Sequence, residues 1–231
     1  MTSQPPLRLK ELEEQLRSTQ SAIVCALSQL LDLRDLSTGT HSTRLGEWAV
    51  RLAVDFGLDE EYQRSIEVAC LVHDVGKIGV PDAVLQKSGP LTPVERAAMD
   101  RHPEYGWAIL RLLPGLELAS LFALHHHERW DGLGYPGRLE GEGIPFGARV
   151  VTLVDSFDAM VSDRCYRQGL GFDEAARRLR AGAGTQFDPR LVGPFVELAR
   201  ENLSQVREAT DEPEPCFPVA AAFAKLTRFV A

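Results

Sequence analysis

Cysteine is scarce in this 231-residue chain, and its four copies, Cys25, Cys70, Cys165 and Cys216, stand alone. None has the close spacing of a Cys-type zinc site, and isolated thiols do not make a disulfide framework. Long apolar runs are also missing. The opening MTSQPPLRLK has no apolar core of signal-peptide length, and no later stretch approaches the roughly 20 residues that a membrane helix needs. Positive charge is in deficit, with 25 Lys and Arg against 33 Asp and Glu and a formal net charge of -8. That balance argues against a general nucleic-acid or anionic-membrane surface, because both are bound through basic patches. It leaves room for a small anionic ligand, since a bound metal cluster can reverse the local field. These absences point to a reduced, soluble, cytoplasmic protein with neither nucleic acid nor membrane among its partners. Period-two alternation is lacking too, except for a short hairpin in the glycine-rich stretch 131–145, which argues against a sheet-based fold.

Apolar residues instead recur at helical spacing. Leu45, Ala49, Leu52 and Ala53 make one face, Ile66, Ala69 and Cys70 another, and Val94, Ala98 and Met99 a third. The segments 110–124, 150–161, 172–179 and 191–203 continue the series, so the fold class is all-α. Thr92-Pro93-Val94-Glu95 has the composition of a helix start, with a capping threonine, a first-turn proline and an acid at the third position. At the N-terminus, Leu9, Leu12, Leu16, Thr19, Ile23, Ala26 and Leu30 alternate three and four apart, as a and d positions of a heptad do. Two readings stand: a coiled-coil arm that pairs two copies into a homodimer, or a single amphipathic helix packed on the domain. Three prolines in close succession, Pro213, Pro215 and Pro218, prevent a helix after residue 209. The chain divides into an N-terminal helical lead-in (1–17), a main domain (18–208) and a C-terminal tail (209–231).

What the chain does have is a set of metal-ligand-type residues. Five of its six histidines, His41, His73, His102, His126 and His127, join Asp74 and Asp155 in a constellation spread over more than a hundred positions. Neutral imidazole with carboxylate is the usual donor set for zinc, manganese or iron. Seven such groups exceed the needs of one ion, so the pattern suggests a two-metal centre. His73 lies on the core-facing stripe of its helix, four after Ala69, with Asp74 about 100° further round. Asp155 continues a buried face four after Val151, and Asp158 follows three later. A buried carboxylate without a partner costs several kcal/mol, so buried acids are normally paired or on metals. One such residue alone is more often a satisfied core group; seven together favour a site. Trp107 and Trp130 are expected to pack in the core.

Several of these residues sit in motifs. Leu71-Val72-His73-Asp74-Val75-Gly76-Lys77-Ile78 resembles the HD-domain metal phosphohydrolases. His126-His127-Glu128-Arg129-Trp130-Asp131-Gly132-Leu133-Gly134-Tyr135-Pro136 resembles the signature of their HD-GYP subfamily. The likeness continues through Ile144-Pro145, Ala148-Arg149-Val150, Asp155-Ser156-Phe157-Asp158-Ala159, Arg164-Cys165-Tyr166-Arg167 and Phe187-Asp188-Pro189, so it covers roughly residues 20 to 200.

The resemblance implies an HD-domain helical bundle that hydrolyses cyclic di-GMP to pGpG, GMP or both. One metal would be bound by His41, His73, Asp74 and Asp155. A second would be bound by His102, His126 and His127, with Asp74 bridging, and iron or manganese are the family's usual ions. Members with three metals carry a glutamate four residues before the first histidine. Here Ser37 stands at that place, which implies two metals. A hydroxide shared by the two ions would attack phosphorus, since the metals make it available at neutral pH. Asp74 and Lys77 are the catalytic candidates, Lys77 as a point charge for a phosphate oxygen. Gly134, Tyr135 and Pro136 would shape the substrate pocket, Arg164 and Arg167 would contact phosphate, and Asp158 would orient a ligand or an arginine. Two other readings remain: a phosphodiesterase for another cyclic dinucleotide, and a binding module that senses cyclic di-GMP with little turnover.

Overall fold

A computed structural model describes residues 7–35, 40–162 and 168–208. Ten α-helices account for most of it: α1 (Leu7–Asp35), α2 (Thr40–Asp55), α3 (Glu60–Val72), α4 (Asp82–Leu85), α5 (Pro93–Met99), α6 (His102–Leu110), α7 (Glu117–His125), α8 (Phe146–Val161), α9 (Phe172–Gly182) and α10 (Pro189–Glu208). Two 3-10 turns, Val75–Gly79 and Gly141–Gly143, complete the regular structure. No strand forms among the described residues, and the expected hairpin reduces to one antiparallel bridge, Asp131 to Glu140.

Helices α2, α3, α7 and α8 pack around one core, which α9 and α10 close from the far side. The predicted faces of α2 and α3 are the ones buried: Leu45, Ala49, Leu52 and Ala53 meet Ile66, Ala69 and Cys70, all at 0% exposure. Trp48 of α2 fits edge-on against Phe157 of α8 at 5.3 Å and Phe195 of α10 at 6.0 Å. Pairs of this geometry add about 0.5–1.5 kcal/mol beyond the area they bury.

Three sequence expectations are corrected. The run 110–124 is not one helix: α6 ends at Leu110 and α7 begins at Glu117, because Pro114 and Gly115, the latter at φ 77°, break it. The face assigned to Val94, Ala98 and Met99 is not a core face; α5 buries none of its residues, and Val94 is 81% exposed. Its stability comes from its start, where Glu95 N–H donates to Thr92 Oγ1 and Thr92 N–H donates to Glu95 Oε2 at 2.7 Å. Third, His73 and Asp74 do not share a helix. α3 stops at Val72, His73 is its C-cap, and the chain tightens into the 3-10 turn Val75–Gly79.

The lead-in helix runs from Leu7 to Asp35, five residues past Leu30, the last position of its heptad pattern. Val24, Cys25, Ser28 and Leu31 face the domain, whereas Leu9, Leu12, Leu16, Ile23 and Leu30 are exposed. No helix among the described residues is long and apolar enough to cross a membrane.

Candidate metal centre

Three helix ends and one helix middle build the site. His73 and Asp74 follow the C-terminus of α3, His102 opens α6, His126 and His127 follow the C-terminus of α7, and Asp155 lies within α8. Gly76 makes the approach possible: a Cβ there would lie 1.9 Å from the His102 carbonyl oxygen and 2.3 Å from the Gly106 nitrogen. Only glycine lets the 3-10 turn lie this close to α6, and that contact brings His102 to Asp74.

Asp74, His102, His126 and His127 each present one ligand atom, all within 4.8 Å of one another. The two oxygens of Asp74 face different histidines. Oδ1 lies 3.2 Å from His102 Nε2 and 3.9 Å from His126 Nε2, while Oδ2 lies 3.4 Å from His73 Nε2 and 2.8 Å from Lys77 Nζ. Asp155 Oδ1 is 3.9 Å from His73 Nε2, so it joins the His73 side. His41 lies in the first turn of α2, but its side chain lies outside the described residues, as do Ser37, Arg164 and Arg167.

A repeated hydrogen bond sets the imidazoles. Nδ1 of His73 meets the Cys70 carbonyl at 2.9 Å, Nδ1 of His102 meets that of Met99 at 2.8 Å, and Nδ1 of His126 meets that of Ala123 at 2.6 Å. A carbonyl can only accept, so Nδ1 carries the proton and Nε2 turns a lone pair toward Asp74. Burial, with His127 as the next cause, pushes the His126 pKa well below the usual histidine value. Burial and then His102 bring His127 down to about 3. Both rings are therefore neutral at pH 7. Burial would raise the Asp74 carboxyl, but Lys77, His73 and His102 together outweigh it and hold the group well below the ordinary range. The result is a convergence of electron pairs, with His102 Nε2 and His126 Nε2 only 3.4 Å apart. Such a donor set is mutually repulsive unless a cation lies among it, so its chemistry fits a divalent metal.

The loop after α7 braces this centre. Tyr135 stacks on His127 with centroids 4.8 Å apart at 27°, and its N–H donates to the His127 carbonyl at 3.2 Å. Burial first, then Asp100 and Asp74, raise the Tyr135 hydroxyl, which stays protonated. A Cβ on Gly134 would lie 2.4 Å from the Arg129 nitrogen and 2.6 Å from the His127 carbonyl oxygen, so this glycine is also fixed by close approach. Lys77 here pairs with Asp74 one 3-10 turn away, rather than sharing a helix face with His73. Asp158 meets an arginine: Arg44 Nε donates to its Oδ1 at 2.6 Å.

Three contributors have no role in the sequence reading. Glu128, 2% exposed, accepts from Gly137 N–H at 2.6 Å and Leu139 N–H at 3.1 Å, which pins the Gly-Tyr-Pro loop. No local signal marks it, because in sequence it stands between His127 and Arg129, and only the fold shows that this acid is buried and must find donors. Thr152 of α8 donates its hydroxyl between the carbonyls of His126 at 2.7 Å and Ala148 at 2.8 Å, which ties α8 to the end of α7. Arg149 reaches Asp188 at 2.6 Å and lies over the Trp130 and Phe146 rings, which explains the Phe-Asp-Pro segment as a brace. Trp107 is not in the core; it is 36% exposed with the Arg111 guanidinium 4.7 Å from its ring centre.

With this geometry in hand, comparison with known proteins is specific. The family model described as "HD domain" matches residues 26–191. A cyclic di-GMP phosphodiesterase of Thermotoga maritima is 40% identical over 188 residues, covering 80% of this chain and 51% of its own length. The 3'3'-cGAMP-specific phosphodiesterase 2 of Vibrio cholerae is 38% identical over 184 residues, covering 79% of this chain and 35% of its own. Among solved structures, the cyclic GMP-AMP-specific phosphodiesterase V-cGAP3 of V. cholerae superposes with a TM-score of 0.61 at 22% identity, over 89% of this chain and 53% of that one, and so shares the fold. The chain spans about half or less of the length of these relatives. From the fold, the His-Asp pair at the end of α3 and the match over most of its length, the chain belongs to the HD domain family, in its HD-GYP branch.

Proposed function

We propose that this chain is a metal-dependent phosphodiesterase that hydrolyses cyclic di-GMP to pGpG, GMP or both. The observation that carries the proposal is the placing of Asp74 between two histidine groups, one carboxylate oxygen toward each. Two divalent ions, iron or manganese, fit this mixed imidazole and carboxylate set. His41, His73, Asp74 and Asp155 would hold one, and His102, His126 and His127 the other, with Asp74 shared. When bound, such ions polarise a phosphodiester and make hydroxide available at neutral pH.

The chain's own groups do the rest. Asp74 stays ionised beside Lys77, and the neutral imidazoles keep their lone pairs on the centre. Lys77 puts a positive charge at the edge of the centre, where a non-bridging phosphate oxygen is well served by a point charge. Arg164 and Arg167 follow α8 and supply further phosphate contacts. Gly134, Tyr135 and Pro136 form a wall of the pocket, and Tyr135 holds the His127 ring by stacking. Asp158 acts through Arg44. The working unit is 18–208, with 1–17 as a lead-in and 209–231 as a tail. Cys25 and Cys70, neither in a disulfide, fit a reducing cytoplasm.

A second copy of the chain is the protein partner in this reading. Leu9, Leu12, Leu16, Ile23 and Leu30 expose an apolar stripe on α1 beside the face that carries Val24, Cys25, Ser28 and Leu31, and Leu16 and Ile23 also line a groove with Leu113 and Leu116. In the same heptad register Arg8 and Glu13 take g and e positions, whose charges attract across a parallel pair. A Leu16→Glu, Ile23→Glu variant should sediment as a monomer where the parent is a dimer. A monomeric parent sinks this part of the reading.

The deciding assay for the activity is nucleotide hydrolysis by anaerobically purified protein loaded with Fe(II) or Mn(II), with products separated by chromatography. Formation of pGpG or GMP that a chelator abolishes supports the proposal. The 38% identity to a cGAMP-specific relative makes a mixed cyclic GMP–AMP dinucleotide the second substrate to test. Tight cyclic di-GMP binding without turnover, at two metals per chain, would instead make this a sensor.

A further inference from the structure

The cation that meets Asp158 points to a positioning device. Arg44 reaches from α2 to α8 across 114 positions of sequence, and Nε donates to Asp158 Oδ1 at 2.6 Å. Its Nη2 contacts the same carboxylate and donates to Ser162 Oγ at 2.8 Å, and Ser162 Oγ donates to Asp158 Oδ2 at 3.1 Å. The Asp158 side chain is 1% exposed. Both of its oxygens are engaged by this clamp, one helical turn from Asp155. The guanidinium also lies 5.7 Å from the Trp48 ring centre, and Trp48 is itself wedged against Phe157.

The register gives the clamp its meaning. His41 stands three residues before Arg44 on α2, and Asp155 stands three residues before Asp158 on α8. A three-residue spacing is close to one turn along each helix. The Arg44–Asp158 pair therefore fixes α2 against α8 one turn from His41 and Asp155. We infer that Arg44 and Asp158 are positioning residues for the half of the metal centre assigned to His41, His73 and Asp155. The other half, built on α6 and the end of α7, is held by separate contacts. This inference rests on the ligand assignment under the proposed function.

The test is a Mn(II) titration of the whole chain, read by metal content per chain after gel filtration and checked by circular dichroism. Arg44→Ala leaves a buried carboxylate uncompensated, so the fold-safe variant is Arg44→Met with Asp158→Asn, which removes both charges together. In that variant the first equivalent of Mn(II) binds as in the parent, while the second binds roughly 10- to 100-fold more weakly, as losses of groups that orient ligands do. Arg44→Lys keeps a cation on Asp158 and recovers part of the second equivalent. A folded double variant that holds two equivalents with parental affinity overturns the inference. His41→Ala separates this from the ligand assignment: if that variant also retains two equivalents, the assignment fails; if it retains one while the double variant retains two, only the clamp fails.

Discussion

Replacing Gly76 by alanine, one methyl group, should disable a site to which this residue contributes no ligand. The added Cβ would meet the His102 carbonyl oxygen at 1.9 Å and the Gly106 nitrogen at 2.3 Å, both backbone atoms of α6 that no rotamer change can move. Ordinary contact needs about 3.4 Å, so α6 and the 3-10 turn must part by roughly 1.5 Å, and overpacking of this kind costs about 1–3 kcal/mol. The same displacement carries His102 Nε2 away from Asp74 Oδ1, now 3.2 Å distant. A misplacement of about 1 Å can cost roughly 100-fold in rate. Gly76→Ala should therefore fold with reduced stability and lose about two orders of magnitude in hydrolysis, with weaker metal binding at the His102 half. Gly89→Ala is the control, because its Cβ would meet nothing within 4 Å. Hydrolysis and Mn(II) content are measured for all three proteins. If Gly76→Ala hydrolyses within about three-fold of the parent with unchanged metal affinity, the reasoning from close approach to site geometry is wrong.

Thr92→Ala removes the side-chain acceptor from the start of α5, a helix with no buried residues, and should cost about 1 kcal/mol in urea unfolding. Tyr135→Phe keeps the ring stacked on His127 and should leave hydrolysis nearly unchanged, whereas Tyr135→Ala should lower it by about 10-fold; equal effects would point to the hydroxyl instead. Burial would raise the Asp188 pKa, but Arg190 and Arg149 outweigh it and lower it. Its contribution to stability is thus complete above the unfolded value near 3.8 and is lost as pH falls through the lower folded value. The gap in unfolding free energy between the parent and Asp188→Asn should be flat at neutral pH and shrink below pH about 4; a gap that grows on acidification has the opposite sign.

The helical faces of α2, α3 and α8 were legible because each buries a stripe at 3.6-residue spacing, and burial follows that stripe to 0% exposure at Leu45, Ile66 and Val151. The convergence of His73, Asp74, His102, His126 and His127 was legible because acids and imidazoles on core-facing positions need partners. Local geometry at the centre was not. The pattern from Ile66 to His73 reads as continuous helix, yet α3 stops at Val72, because the close approach of Gly76 to His102 is a contact between residues 26 apart in sequence. Likewise Arg44 has no local signal for Asp158, 114 positions away. Val94, Ala98 and Met99 have helical spacing without a core to face, which periodicity cannot distinguish from burial.

The histidines are oriented by the backbone, and this has a measurable consequence. Helix C-termini leave carbonyls without an intrahelical partner. Cys70 and Ala123 lie in the last turns of α3 and α7, Met99 ends α5, and each accepts Nδ1 of the histidine three residues on. One hydrogen bond thus satisfies a helix end and aims Nε2 at Asp74, before any ion arrives. The cost of holding these lone pairs together is then present in the folded protein and absent in the unfolded one. Metal binding removes that cost and selects the folded state, by about 2.7 kcal/mol for each site at 100 times its Kd. For a domain of this size, 1 kcal/mol corresponds to roughly 2–4 °C in Tm. Saturating Mn(II) should accordingly raise Tm by roughly 5–10 °C per occupied site, and the rise should vanish in Asp74→Ala, where the shared carboxylate is gone. A Tm that rises equally in parent and Asp74→Ala would mean that the ion binds elsewhere, and that the convergence of imidazoles on Asp74 is not what holds it.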